Sequence, residues 1–211
     1  MHSDFSRVPR GGKIVNYLSK KFIVFRNVFR PFEDSKALVR NWVINRGESV
    51  LDVGTGSGVL AVMAVYCGAK RVVALDRSRA AVKNAKINAA LHGFSKIIEV
   101  RISNVFSALE SNEKFDVIVA NLPFRNYPAK NSVERTTWDQ RFKTNRNFFG
   151  GVRAHLKKGG RIYITQANFG EVESVRKLTQ KFLLSTRKIG ENPAGEKDPR
   201  IFYAFELRPK I

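Results

Sequence analysis

Between residues 49 and 166, short β-branched runs alternate with helical stretches, and this alternation constrains the fold more than any other feature of the chain. Strands are predicted at Ser49–Val53, Arg71–Leu75, Ile97–Ile102, Phe115–Ala120 and Arg161–Gln166. Helices are predicted at Gly58–Cys67, Arg79–His92 and Arg141–Leu156, with a short one near Val105–Glu110. Ser78 stands where an N-cap belongs, Gly93 stops the helix after His92, and Gly159-Gly160 ends the helix before the fifth strand. Strands joined through helices pair in parallel. Farther on, a helix at Glu171–Phe182 precedes a run at Leu183–Ile189, a polar loop at Glu191–Pro199 and a strand at Ile201–Leu207. Two strands joined by such a loop read as an antiparallel hairpin. Upstream, Glu33-Asp34-Ser35 caps a helix running to about Asn45, with Leu38, Trp42 and Val43 on one face. The expected fold is an α/β sheet, mostly parallel, with an antiparallel hairpin at its C-terminal end.

A chain of 211 residues can bury a full core without staples. Its one cysteine, Cys67, forms no internal disulfide and reads as core on an apolar helix face. With His2, His92 and His155 it makes no four-ligand zinc site, so no metal is expected. His155, near a helix C-terminus, reads as a dipole partner, and Trp138 and Phe148-Phe149 as packing. The most apolar stretch, Val59 to Gly68, is about half the ~20 residues that span a bilayer. The first ten residues hold no apolar run of the secretory kind, so a cytoplasmic protein without a membrane partner is expected.

Charge points outward. Lys and Arg number 38 against 18 Asp and Glu, a net charge of +20. Such a field concentrates polyanions, RNA above all. Arg7 to Arg30 holds seven cations and no acid, interleaved with Tyr17, Phe22, Phe25 and Phe29. Arg125 to Arg161 holds ten cations against Glu134 and Asp139. Two solvated faces account for these tracts as well as two walls of an anionic cleft do. Arg125, Lys130, Arg135, Arg141, Lys143 and Arg146 are equal candidates to line such a cleft.

The run Asp52-Val53-Gly54-Thr55-Gly56-Ser57-Gly58 follows a strand and opens a helix. Glycines there let the backbone turn tightly and approach a ligand at the helix N-terminus. The glycines fall at 54, 56 and 58, with Val59 in the third-glycine place of the dinucleotide fingerprint, and no Lys-Ser/Thr pair of a P-loop follows. Asp52 beside the loop opposes a pyrophosphate and suits an ammonium or a hydroxylated ligand. This run resembles motif I of the class I S-adenosylmethionine-dependent methyltransferases, where it wraps the methionine and ribose parts of the cofactor. The resemblance implies a Rossmann-like seven-stranded sheet with helices on both faces and S-adenosyl-L-methionine as cofactor. It assigns Asp52, Gly54, Thr55, Gly56 and Gly58 to the cofactor. Asp76, 24 positions on and at the end of the next strand, takes the ribose hydroxyls with Arg77 beside it. A single glycine serves any turn and Asp76 alone can cap a helix, but the combination is harder to explain that way. After the third strand this family often has an Asp that accepts from the adenine amino group; here Asn104-Val105 takes that place in the cofactor site, the Asn104 amide oxygen as acceptor, though Asn104 suits a turn equally well.

Asn121-Leu122-Pro123-Phe124 directly follows the fourth strand, at the carboxyl edge where open α/β sheets bind ligands. It resembles the N-P-P-Y/F motif of methyltransferases that modify a planar nitrogen, and the Asn-Leu-Pro-Tyr/Phe of ribosomal-RNA adenine dimethyltransferases. Such a nitrogen shares its lone pair with a ring or carbonyl and attacks poorly. The Asn121 side-chain oxygen and the Leu122 carbonyl can hold its N–H groups, and Phe124 offers a stacking face. Leu122 replaces the first proline yet keeps the carbonyl, and Pro123 holds it extended. Val28-Phe29-Arg30-Pro31-Phe32-Glu33-Asp34-Ser35 is similar to the segment before motif I in HemK/PrmC-type methyltransferases and their short relatives. There Asp34 and Ser35 match an acid–hydroxyl pair that closes over the cofactor; a capped helix is the plainer account. Residues 1–46 are thus expected to form a basic, aromatic arm with a capping helix, and 47–211 the methyltransferase domain. The expected acceptor is an exocyclic base nitrogen in RNA or a ribonucleoprotein. The alternatives are a glutamine amide of a protein substrate, such as a release factor, and an RNA-binding module without turnover. Oligomeric state is not readable.

Overall fold

The computed structural model describes residues 9, 11–130, 134 and 138–210. His2, Arg7 and Arg10 of the N-terminal tract and Arg135 lie outside the described residues. The chain forms two compact units, one from Met1–Pro31 and Ile44–Ala108, the other from Phe32–Val43 and Leu109–Ile211.

The first unit holds strands β1 (Gly12–Tyr17), β2 (Lys20–Phe25), β3 (Ser49–Val53), β4 (Arg71–Asp76) and β5 (Ile98–Ile102), with helices α2 (Val59–Tyr66) and α3 (Arg79–Leu91). Strands β3, β4 and β5 are parallel neighbours in the order β5-β4-β3, and β3 is buried along its whole length. Continuous apolar strands of this kind are those covered on both faces. Ser78 caps α3 as expected, its side chain accepting from the Ala81 N–H. The hairpin β1–β2 is new. Its two-residue turn places Leu18 and Ser19 at φ 44° and 63°, without the Asn-Gly or Asp-Gly that announces such turns. Two asparagines of α3 hold it in place. Asn88 accepts from the Ile23 N–H at 2.9 Å and donates to Ile23 and Ser57 carbonyls, while Asn84 accepts from Phe25 N–H at 2.9 Å. Both amides are fully buried and bonded at oxygen and nitrogen, so the helix serves β2 as a neighbouring strand would. Tyr17 and Phe22 are buried in this packing, which removes them as stacking surfaces for a base.

The second unit contains α1 (Glu33–Asn41), β6 (Phe115–Ala120), α4 (Lys143–Gly151), β7 (Leu156–Ala167), α5 (Val172–Lys181), β8 (Leu184–Gly195) and β9 (Asp198–Pro209). Strand β7 runs parallel to β6 and antiparallel to β9, which pairs with β8, giving the order β6-β7-β9-β8. Strands β3–β5 of the first unit and β6–β9 of the second make seven, mostly parallel, with an antiparallel hairpin last in the chain, the expected α/β class.

Several predicted elements shift. The helix near Val105–Glu110 is a series of turns, because Ser103 Oγ donates to the Val105 carbonyl and accepts from Ala108 N–H, displacing helical bonds. The Arg141–Leu156 helix is broken: Gln140–Phe142 and Val152–His155 are 3-10 turns on either side of α4. The next strand starts at Leu156, so Gly159-Gly160 lies inside β7, in a bulge between the Phe115↔Leu156 and Val117↔Arg161 pairs. A Cβ on Gly160 would sit 2.9 Å from the Asp116 carbonyl oxygen. The Glu191–Pro199 loop is mostly strand; β8 stands last in the strand order, where Pro193 costs no ladder bond. Helix α1 ends at Asn41, leaving Trp42 buried and Val43 56% exposed. Cys67 is exposed beyond the last turn of α2, not core.

Candidate active site

In the first unit, the chain leaves β3 at Val53 and passes through Gly54, Gly56 and Gly58 at φ 79°, 55° and 83°. Only glycine adopts that region without strain. Gly58 is fixed twice over, since a Cβ would lie 2.9 Å from both Cα and Cβ of Ala85 on α3. At Gly54 and Gly56 the corresponding positions face open space, room that a ligand can fill. The Leu75 carbonyl accepts from both Gly54 N–H (2.8 Å) and Thr55 N–H (2.9 Å), which ties the loop to the end of β4.

Asp76 completes that tie. One carboxylate oxygen accepts from Gly56 N–H at 3.0 Å and the other from Ser78 N–H at 2.8 Å. Each oxygen keeps a second lone pair, so vicinal hydroxyls can still be accepted. Burial raises the Asp76 carboxyl above its ordinary value, partly offset by those two N–H groups and Arg77. Asp52 lies on β3, two residues before the first glycine of the loop. It is fully buried, and Thr55 Oγ1 donates to its Oδ2 at 2.6 Å. Burial pushes its carboxyl up to about 7, against the pull of Thr55 and with the help of Asp76. Among the described residues its Oδ1 finds no hydrogen-bond partner, the kind of orphan a bound ammonium satisfies. Arg77 and Asn104 are exposed; Val105, at φ 55°, is half-buried in the turn after β5. The glycine loop, Asp76 and the orphan oxygen fit an aminoacyl-ribose ligand.

In the second unit, Asn121 leaves the end of β6 and is held at both ends of its amide. Its Nδ2 donates to Asp34 Oδ2 at 2.8 Å, and its Oδ1 accepts from the hydroxyl of Thr165 near the end of β7. Reversing the amide would set oxygen against carboxylate, so its orientation is determined. Asp34 is 2% exposed. Its other oxygen accepts from Ser35 N–H (2.6 Å) and Phe32 N–H (3.3 Å), which knits the start of α1. Burial raises its carboxyl, opposed by the bond from Asn121 and those N–H groups. Ser35 is also buried, its hydroxyl donating to the Phe32 carbonyl. The structure thus brings Asp34 and Asn121 together and gives Ser35 to the helix start.

Leu122 and Phe124 are buried. Phe124 packs against Phe169 and Phe202 and is 5% exposed, so little of its face is open for stacking. The Pro123 carbonyl accepts from Asn145 Nδ2 at 3.1 Å, and Asn145 in turn is held by Asp139. Asp139 caps α4 by accepting from the N–H groups of Thr144 and Asn145. Thr165 and Asn145 were not singled out in the sequence; no local motif marks either, since each acts from an element remote in the chain. Of the basic tract, Arg161 is withdrawn: it is buried and donates to the Val43 carbonyl and the Tyr163 hydroxyl. His155 is buried with Nδ1 donating to the Glu113 carbonyl at 3.0 Å.

The chain belongs to the class I S-adenosylmethionine-dependent methyltransferases, with S-adenosyl-L-methionine as the methyl donor. It is 34% identical over 169 residues to a provisionally assigned protein N5-glutamine methyltransferase of Methanocaldococcus jannaschii, covering 72% of this chain and 78% of that one. The profile of the ribosomal protein L11 methyltransferase family (PrmA) matches residues 37–123. The L11 methyltransferase of Anoxybacillus flavithermus is 43% identical over 79 residues, 37% of this chain but only 25% of that one. Among solved structures, the Thermus thermophilus 16S rRNA N2 G1207 methyltransferase, in complex with the cofactor and guanosine, superposes with a TM-score of 0.67. That match covers 94% of this chain and 50% of the other at 20% identity, a likeness of fold. Among the described residues, no helix is long and apolar enough to cross a membrane.

Proposed function

We propose that the chain methylates a planar amino or amide nitrogen, and that the acceptor is an exocyclic nitrogen of an RNA base. The observation that carries the first part is the locked amide of Asn121. With its orientation set by Asp34 and Thr165, the free lone pair of Oδ1 has one direction in which to receive an acceptor N–H. The Leu122 carbonyl is assigned the second, which leaves the nitrogen lone pair free to attack. Orienting a weak nucleophile in this way supplies several kcal/mol of the barrier reduction. S-adenosylmethionine supplies a methyl on a sulfonium, which departs as a neutral thioether as the N–C bond forms. The glycine loop, Asp52 and Asp76 are assigned to hold it, and Asn104 to face its adenine. Methylation makes the nitrogen acidic, so its proton can pass to water and no side chain is assigned as a base.

The net charge of +20 favours RNA. A second reading, a glutamine amide in a protein, is favoured by the M. jannaschii relative. Glutamine amides and exocyclic amines present the same planar NH2, so the motif serves both. Incubating the chain with tritiated cofactor, total RNA and total protein, then treating with nuclease or protease, separates the readings. Nuclease-sensitive label supports RNA and protease-sensitive label the glutamine reading; no label in either pool leaves only the binding module.

A further inference from the structure

The segment after the Asn121–Phe124 motif carries an aromatic pair that none of the roles above uses. Tyr127 is 55% exposed, and its ring centroid lies 5.8 Å from that of half-buried Trp138, tilted 51°. A large exposed aromatic held this way invites a reason. The placement is built rather than incidental. The Arg125 carbonyl accepts from Asp139 N–H at 2.8 Å, Arg125 and Trp138 form a parallel bridge, and Asn126 Oδ1 accepts from Arg141 N–H at 2.6 Å. Arg141 and Phe142 follow at φ 55° and 50°, two successive side-chain-bearing residues in the left-handed region. Such strain persists only where surrounding bonds impose it. Here they hold Tyr127 against Trp138.

The pair stands in a cationic field. Lys130, Arg141, Lys143 and Arg146 are exposed or half-buried, and the tract from Arg125 to Arg161 has two acids. Asp139 is buried with both carboxylate oxygens on backbone N–H groups, and Glu134 accepts from Lys130 N–H. Aromatic rings among cations suit a polymer of stacked bases and phosphates: base on ring, phosphate on guanidinium or ammonium. An acidic peptide would use the cations but leave the rings without a partner.

We infer that Tyr127, backed by Trp138, is a stacking platform for an unpaired nucleobase of single-stranded RNA, with Arg141, Lys143 and Arg146 contacting its phosphates. This rests on the RNA reading of the acceptor. It is tested by anisotropy of a short fluorescein-labelled single-stranded oligoribonucleotide across a salt series. Tyr127→Ala should weaken binding about 5- to 150-fold, with the salt slope unchanged, and Tyr127→Phe should stay within about twofold of wild type. Lys143→Gln should instead flatten the slope by about 0.7. Thermal melting of each variant checks that folding is intact. The platform is overturned by a Tyr127→Ala variant that binds as wild type, or by a Tyr127→Phe variant as weak as alanine. If wild type labels RNA yet Tyr127→Ala binds normally, the acceptor reading survives without the platform. If wild type neither binds nor labels RNA and labels protein, both are lost.

Discussion

The side chain of Asn121 donates to Asp34 Oδ2 at 2.8 Å across 87 positions of chain, joining the start of α1 to the end of β6. The same amide accepts from Thr165, so a single residue at the motif's head is gripped by two others that no sequence pattern connects to it. Replacing Asn121 by alanine should lower kcat about 10²–10³-fold, while cofactor affinity measured by calorimetry stays within error. An alanine variant of full activity would remove the acceptor role.

Thr165 acts through Asn121 and is a positioning residue. Thr165→Val keeps the shape and deletes the hydroxyl, so the amide loses one of two anchors. One hydrogen bond is worth about 0.5–1.5 kcal/mol, which predicts a fall in kcat of about 2- to 12-fold with KM for the cofactor unchanged. Thr165→Ser should restore most of it. Equal loss in both variants would point to packing instead.

Asp76 grips the glycine loop through Gly56 N–H and is assigned to the cofactor's ribose. Asp76→Ala should weaken cofactor binding by about 1–3 kcal/mol. Titration calorimetry reads this directly, and unchanged affinity would place the ribose elsewhere.

Burial lifts the Asp52 carboxyl from 3.8 to about 7, so the folded chain holds this proton more tightly than the unfolded chain does. The stability it contributes is complete below about pH 3.8 and is lost as pH rises through about 7. The total is on the order of 4 kcal/mol. Asp52→Asn cannot titrate, so its melting temperature relative to wild type should climb from pH 4 to 7 and then level off. A difference that is flat across this range would mean the carboxyl is not raised.

Gly58 combines a φ of 83° with Ala85 atoms 2.9 Å from where a Cβ would stand. Left-handed backbone costs roughly 1–2 kcal/mol and overpacking roughly 1–3, so Gly58→Ala should destabilise by about 2–5 kcal/mol in urea melts. Gly54→Ala meets no atom within 4 Å and should cost the backbone share alone, unless cofactor is present. If the two variants melt alike, the contact with Ala85 is not what fixes position 58.

The alternation of strands and helices, the glycine loop, Ser78 as cap and the strand-end place of Asp76 are local properties. Each depends on residues a few positions apart, and the amino-acid order alone determines them. The antiparallel ending and the place of Asn121 after β6 follow from the same short-range patterns. What sequence cannot encode locally is which groups meet. The Leu18-Ser19 turn carries no Asn-Gly or Asp-Gly and is held because α3's asparagines complete β2. The Glu191–Pro199 stretch has loop composition and becomes strand because β9 pairs with it. Asp34, Asn121 and Thr165 come from three separate elements, as do the two ends of every long-range hydrogen bond. Asp52 reads as a ligand contact from its place beside the loop, but its full burial and its bond from Thr55 depend on what packs above and below the strand. Chain order supplied the chemistry of the residues; packing chose their partners, since burial satisfies polar groups only where distant segments are brought into reach.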